Sequence, residues 1–219
     1  MKCPMQRPRI LLADDHTLLL DGMCKLLEND FTLIGKVCNG RELLTEAERL
    51  MPDVILLDIS MPLLNGLDAA RQLRQRGVRA KLVFVTMHNG ADYVKEAFRA
   101  GASAYVLKQA AAAELVGAVH EVLRGNDYIS PLINKDVLAT INSARQPVSG
   151  RGSGELTLRQ REVLQLVAEG HAAKSVADLL HISQKTVEFH KASMMRQLGL
   201  RSSAELIRYA INHGLVEKQ

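Results

Sequence analysis

Cysteine is scarce in this chain. The three that occur, Cys3, Cys24 and Cys38, are odd in number and confined to its first fifth, so no disulfide framework is implied and a reduced, cytoplasmic setting is expected. Long apolar runs are missing too. Stretches such as Val54 to Leu57 are strand-sized, far short of the roughly 18–20 residues that span a bilayer, so no membrane partner is expected. The opening Met1-Lys2-Cys3-Pro4 passes through Arg7 and Arg9 into a strand-like segment, without the apolar stretch and small-residue cleavage site of a signal peptide. There is no tryptophan, and no large excess of one charge: 28 Lys and Arg face 24 Asp and Glu. With 47% hydrophobic and 24% charged positions over 219 residues, wholesale disorder is excluded, and one large domain or two small ones can be built.

The net charge of +4 becomes informative when divided. Residues 151–219 carry 10 Lys/Arg and 7 Asp/Glu, net +3, whereas residues 1–150 carry 18 and 17, net +1. A basic C-terminal piece thus follows a nearly neutral one, which weakly favours an anionic partner for the former. The boundary falls at Ser143 to Gly154, where three glycines, three serines and a proline cannot sustain a periodic element and read as a flexible linker. Gly150-x-Gly152-x-Gly154 follows no strand and lacks the Lys-Ser/Thr of a phosphate-binding loop, so it is not read as one.

Before the linker, strand-like and helix-like segments alternate. Ile10 to Ala13, Leu33 to Val37, Val54 to Leu57, Leu82 to Thr86 and Ala104 to Leu107 are short apolar runs. Unbroken apolarity, rather than alternation, is what a strand covered on both faces requires. Amphipathic stretches lie between them: Leu18 to Glu28, Arg41 to Arg49, Gly66 to Arg76, Ala91 to Ala100 and Ala111 to Arg124. Five such units predict a doubly wound, five-stranded parallel α/β sheet. A further helix-like piece, Pro131 to Asn142, leads into the linker, and only helical patterns follow it.

Ligands of an open parallel sheet bind at the carboxyl ends of its strands, and there this sequence carries its chemistry. Asp14 and Asp15 follow the first strand directly, and Asp58 follows the third. If those strands are neighbours, three carboxylates converge, and such a cluster repels itself unless it holds a hard cation such as Mg2+. Thr86 ends the fourth strand and Lys108 follows the fifth. An acceptor carboxylate, a metal, a hydroxyl and a fixed positive charge make a site for receiving a phosphoryl group, with Asp58 as nucleophile. Taken singly, each residue has an ordinary reading: an Asp after a strand as a turn or helix cap, Thr86 as a turn hydroxyl, Lys108 as a solvated charge. The joint pattern favours the site.

Asp14-Asp15-His16, the segment Asp53-Val-Ile-Leu-Leu-Asp58-Ile-Ser60-Met61-Pro62-Leu-Leu-Asn65-Gly66, Val85-Thr86-Met87 and Tyr105-Val-Leu-Lys108 together resemble the receiver domain of a two-component response regulator, a flavodoxin/CheY-like fold. The resemblance covers about residues 8–125. It implies that Asp58 is the phosphoacceptor, that Asp15, Asp58 and the Ser60 carbonyl hold Mg2+ with help from Asp14, and that Thr86 and Tyr105 form a switch pair. Ser60 and His88 occupy positions that influence acyl-phosphate lifetime in such receivers. His16 is read as a loop or helix-start residue rather than a phosphotransfer group.

Beyond the linker, Thr157 and Gln160 stand at capping-box spacing ahead of an apolar face of Leu158, Val163, Leu166 and Val167, and Gly170 closes that helix. A second helix, Lys174 to Leu180, is followed by a turn at His181-Ile182-Ser183, with Ser183 as cap of a third helix, Gln184 to Leu198. Ser202 and Glu205 form a second capping box for a fourth, ending near His213. Two helices joined by a tight turn suggest a helix-turn-helix. The pattern Leu156-Thr-x-Arg159-Gln-Arg161-Glu162-Val-Leu164, Ala177-x-x-Leu180, Ile182-Ser183-x-x-Thr186-Val187-x-x-His190 resembles the LuxR-type module.

Receiver plus such a module resembles the NarL/FixJ class of response regulators, with a receiver at 8–125, a linker at 126–154 and a small four-helix DNA-binding domain at 155–217. The resemblance implies a transcription factor controlled by phosphate from a sensor histidine kinase, homodimeric when phosphorylated. It also implies a chain that is not an enzyme apart from Mg-dependent self-phosphorylation and slow self-dephosphorylation at Asp58. Glu188, Phe189 and Ala192 would meet base edges, and Lys174, Lys185, Thr186, Lys191 and Arg201 would hold DNA phosphates. Two rivals are weaker. A nucleotide- or flavin-binding enzyme needs a Gly-rich turn after the first strand, where Ala13-Asp14-Asp15-His16 stands. A degenerate receiver acting as an adaptor would not need an intact Asp58 and Lys108.

Overall fold

The unbroken apolar runs become strands and the amphipathic stretches helices, in strict alternation: β1 (Arg9–Ala13), α1 (Thr17–Leu27), β2 (Thr32–Val37), α2 (Gly40–Leu50), β3 (Val54–Leu57), α3 (Gly66–Gln75), β4 (Lys81–Thr86), α4 (Ala91–Arg99), β5 (Ala102–Leu107) and α5 (Ala111–Leu123). The computed structural model describes residues 7–133 and 156–216. Its parallel sheet has the order β2-β1-β3-β4-β5-β6. The sixth strand, β6 (Tyr128–Ile129), is an addition to the expected five; its two residues pair with Ala104 and Tyr105. A segment that short has no periodicity of its own, and only the open edge of β5 makes it a strand.

Alternate side chains of each strand enter two apolar layers. Leu11, Ala13, Ile55, Leu57, Leu82 and Phe84 pack with α2, α3 and α4. Ile10, Leu12, Val54, Leu56, Val83 and Val85 pack with α1 and α5. Both faces are covered, which is why these strands read as solid apolar runs. The register leaves the strand ends flush: Ala13 lies beside Leu57, and Leu57 beside Phe84. The residues that follow are therefore brought to one edge.

After the described gap come α6 (Leu158–Ala168), α7 (Ala173–Leu180), α8 (Gln184–Leu198) and α9 (Ser203–Asn212). Thr157 and Gln160 form the expected reciprocal capping box, and Ser183 accepts from the Thr186 amide. Ser202 caps α9 through the Glu205 amide, but the Glu205 carboxylate takes the Arg201 amide instead of the Ser202 amide, so the second box is only half made. Val163, Leu166, Val176, Val187, Met194 and Leu206 form the core of this unit. The linker at Ser143 to Gly154 lies outside the described residues, as does the expected helix from Pro131 to Asn142 beyond Ile133. Among the described residues, no helix is long and apolar enough to cross a membrane.

The two units touch. The loop between β3 and α3 carries Leu63 into the apolar cluster of the helical unit. α6 turns toward the receiver two polar side chains that are buried rather than solvated, Gln165 against that loop and Glu162 against Gln72 of α3.

Candidate functional site

The ends of β1, β3, β4 and β5 deliver their groups to the same pocket. Asp14 and Asp58 are 1% and 3% exposed, and the backbone brings them together through the Asp58 amide, which donates to the Ala13 carbonyl. Lys108, in the short turn before α5, places its Nζ 2.8 Å from Asp58 Oδ2 and 2.9 Å from Asp14 Oδ2. Asp58 Oδ1 accepts the Ile59 amide at 2.7 Å. Burial pushes the Asp58 carboxyl above its ordinary value against the opposing pull of Lys108, and Asp14 and Thr86 act more weakly. Burial also works against the Lys108 charge, but the two carboxylates outweigh it and hold the ammonium above its usual range.

Asp15 is more exposed, at the pocket mouth. His16, just ahead of α1 as expected, lies with Nδ1 3.2 Å from Asp14 Oδ1 and 3.0 Å from Asp15 Oδ1. One potential ligand atom from each of Asp14, Asp15, His16 and Asp58 falls within 4.8 Å of all the others. The geometry also fits a cation in detail. Asp14 Oδ2 is buried, and the Lys108 ammonium at 2.9 Å is the partner it has among the described residues. Three carboxylates against one ammonium leave the pocket formally two charges negative, so this acidic cluster could bind a divalent metal.

Thr86, fully buried, weakly lowers the Asp58 carboxyl pKa and accepts from the His88 amide at 3.4 Å. Tyr105, also fully buried, donates its hydroxyl to the His88 carbonyl at 2.8 Å. Its burial holds the phenol far above the usual range. Ser60 lies across the pocket mouth with Oγ 2.9 Å from His88 Nε2, and the His88 ring stacks on Tyr93 at 4.1 Å. Sequence alone named Ser60 and His88 but gave no sign that they meet, because their contact depends on two loops 28 residues apart.

A second candidate surface lies on α8. Lys174, Lys185, Glu188, Ala192 and Arg201 are exposed, Phe189 is 67% exposed, and Thr186 and Lys191 are half-buried. Phe189 is therefore free of the core and presented to solvent. Lys191 Nζ lies 3.2 Å from Glu188 Oε1, and the Thr186 hydroxyl is 2.8 Å from that of Ser183. Of the expected DNA-contacting residues, none is buried, and Glu188 and Lys191 are already paired.

Sequence reasoning missed the contact between the units. Gln165 Oε1 accepts the Asn65 amide at 2.8 Å, and its Nε2 donates to the Met61 carbonyl at 3.0 Å. Glu169 accepts the Leu63 amide at 3.1 Å. Arg161 Nε meets both oxygens of buried Asp68, at 2.9 and 3.0 Å, and Gln72 donates to Glu162 at 2.6 Å.

Residues 10–120 match the family described as the response regulator receiver domain, and residues 154–210 match that of bacterial regulatory proteins of the luxR family. The chain is 34% identical to the transcriptional regulatory protein MctR of Rhizobium johnstonii, over 97% of this chain and 98% of that one. It is 34% identical to the nitrate/nitrite response regulator protein NarL of Escherichia coli, over 90% and 91% respectively. Among solved structures it resembles RcsB of Salmonella enterica serovar Typhimurium bound to a promoter in the presence of a beryllofluoride phosphomimetic, with a TM-score of 0.57, 25% identity, and coverage of 93% and 98%.

Proposed function

This chain belongs to the NarL/FixJ class of response regulators and is a transcriptional regulator of a two-component system, and from that premise we propose that Asp58 is its phosphoacceptor. The receiver is assigned to 8–125, the linker to 126–154 and the DNA-binding domain to 155–217. One observation carries the reading of Asp58: it is buried at a strand end, 2.8 Å from the Lys108 ammonium, with the carboxylate of Asp14 held against the same ammonium at 2.9 Å. Mg2+ held by Asp14, Asp15, Asp58 and the Ser60 carbonyl would offset charge on the phosphoryl oxygens.

An Asp58 carboxylate oxygen attacks phosphorus. The bond from phosphorus to the nitrogen of a kinase phosphohistidine, or to the oxygen of a small acyl phosphate, breaks, and its electron pair leaves with the donor. Lys108 is already charged and in place, so it stabilises the added negative charge with little reorganisation. Thr86 turns its hydroxyl from the carboxyl to the new phosphoryl oxygens. The turn from Thr86 to His88 follows, and with it the carbonyl that holds Tyr105. Phosphorylation thus has a mechanical route into the receiver surface; it shifts the balance of conformations because the two states hold Thr86 and Tyr105 differently.

In the cytoplasm the phosphorylated chain pairs with a second copy on two-fold-related DNA. α8 lies in the major groove, with Glu188, Phe189 and Ala192 at base edges and Lys174, Lys185, Thr186, Lys191 and Arg201 on phosphates. Labelling with radioactive acetyl phosphate and Mg2+ tests the first part: Asp58→Asn should take up no label, and label retained in that variant refutes the assignment. A mobility shift with promoter fragments selected by the beryllofluoride-treated protein tests the second.

A further inference from the structure

The outward stripe of α8 has a mixed chemistry. Lys185, Glu188, Phe189, Ala192 and Arg196 stand three or four residues apart and are all exposed, so they share one side of the helix. Val187 and Met194 are buried on the other. The cations of the stripe suit a polyanion. Its two remaining features do not serve that purpose. Phe189 puts a large apolar ring 67% into solvent, where its ring contact among the described residues is the neighbouring His190 at 6.1 Å. Glu188 sets a carboxylate among the cations, and Lys191 Nζ holds its Oε1 at 3.2 Å.

Phosphates repel a carboxylate and offer nothing to a phenyl ring, so neither residue adds to the part of DNA binding that ignores sequence. Both have partners on the base edges. The hydrogen-bond donors of the major groove are the amino groups at cytosine N4 and adenine N6. Adenine sets its N7 acceptor beside the amino group, and guanine presents two acceptors, so a carboxylate is best received by cytosine. Phenylalanine neither donates nor accepts, and the thymine methyl is the apolar group of the groove. The Lys191 ion pair steadies the Glu188 carboxylate and offsets its charge against the DNA backbone. A carboxylate has about four acceptor sites, so the pair leaves it capacity for the cytosine amino group. Consecutive residues lie about 1.5 Å apart along a helix and base pairs about 3.4 Å apart along DNA, so Glu188 and Phe189 meet neighbouring pairs.

We propose that Glu188 reads a C·G pair by accepting from cytosine N4, that Phe189 reads a neighbouring T·A pair through the thymine methyl, and that these two residues set the operator preference of this chain. Lys185 and Lys191 supply affinity that does not depend on sequence. The inference rests on the placement of α8 in the major groove. Both reading residues are exposed, so they can be exchanged without disturbing the core of the helical unit.

The test uses the full chain treated with Mg2+ and beryllium fluoride. Wild type selects its operator from a library of random duplexes, and anisotropy titrations then follow single exchanges within that operator. One C·G pair should lose about fivefold or more in affinity when exchanged for A·T. A neighbouring thymine should lose about fourfold when replaced by deoxyuridine, which lacks only the methyl group. Glu188→Gln should bring the C·G and A·T duplexes to parity or reverse their order, because a carboxamide pairs with adenine N6 and N7. Phe189→Ala should bind the thymine and deoxyuridine duplexes equally, and circular dichroism checks that both variants keep their helices. A cytosine preference unchanged in Glu188→Gln, or a deoxyuridine penalty unchanged in Phe189→Ala, would overturn the proposal. So would a selected operator without a C·G pair beside a T·A pair. A wild-type chain that selects no common sequence would instead overturn the placement of α8 in the groove.

Discussion

Replacing Lys108 with methionine in the metal-free protein probes the electrostatics of the strand-end pocket directly. The Lys108 side chain is 7% exposed, and its ammonium lies 2.8 and 2.9 Å from oxygens of Asp58 and Asp14. Methionine keeps a long apolar stem and removes the charge. Two buried carboxylates are then left facing one another, with ligand atoms within 4.8 Å. At that distance and an effective dielectric constant of about 20, their repulsion is about 3.5 kcal/mol. Uptake of a proton by Asp58, whose carboxyl burial already pushes upward, limits the loss, so the expected destabilisation is about 3 kcal/mol, the low end for orphaning buried charges. Saturating Mg2+ should recover most of it, because the divalent ion replaces the missing positive charge and binds only the folded pocket. Urea denaturation followed by far-ultraviolet circular dichroism at pH 7, with chelator and with Mg2+, measures both quantities. A loss within about 0.5 kcal/mol, the size of an ordinary surface change, would refute the reasoning. So would a loss that magnesium leaves untouched.

The pH dependence of the metal-free protein follows from Asp58 with a definite sign. Its folded pKa is raised above the unfolded value near 3.8, so the folded state holds the proton more tightly; the resulting penalty is absent below that value and grows as pH rises through the folded pKa. The stability of wild type relative to Asp58→Asn should therefore fall with rising pH in that window, and a flat or rising difference in thermal midpoints contradicts it. On α8, Lys191→Ala should weaken binding to a selected promoter fragment and make the salt slope shallower by about 1. Glu188→Gln, which frees Lys191 from its 3.2 Å partner, should strengthen binding to a duplex of mixed sequence; anisotropy titrations at two salt concentrations decide both. One substitution should have opposite effects at two glycines. Gly66→Ala collides with the Asp58 carbonyl and should cost about 2 kcal/mol or more, whereas Gly22→Ala in α1, with nothing within 4 Å, should stabilise by about 0.5–1 kcal/mol. Equal effects in denaturation would show that the close approach at Gly66 does not constrain the loop.

The strand-end chemistry was legible because strands and their ends are marked locally. Ile10 to Ala13 and Val54 to Leu57 are unbroken apolar runs, so the first polar residues after them, Asp14 and Asp58, announce themselves as strand-end groups. The helix caps at Thr157 and Ser183 were legible for the same reason, since cap and partner lie three residues apart. β6 was not legible, because two residues become a strand only when β5 offers its edge. The capping box at Ser202 failed by one residue: Glu205 found the Arg201 amide nearer to hand. The contact of Ser60 with His88 depended on how two loops fold over one pocket.

The polar face of α6 marks the limit most clearly. Gln165 stands between Leu164 and Leu166 with no sequence signal of its own, and nothing in its identity distinguishes a glutamine that bonds water from one that bonds a loop. Alone, the sequence decided where strands end, which acids, hydroxyl and lysine stand there, and which helices follow the linker, because those choices rest on neighbours within a few residues. Only the tertiary structure decided that Gln165 grips residues 61–65 about a hundred positions away and that Leu63 is held at a positive φ. The physical reason is that a hydrogen-bonding group has the same capacity in water as in protein, and packing between distant segments is what removes the water.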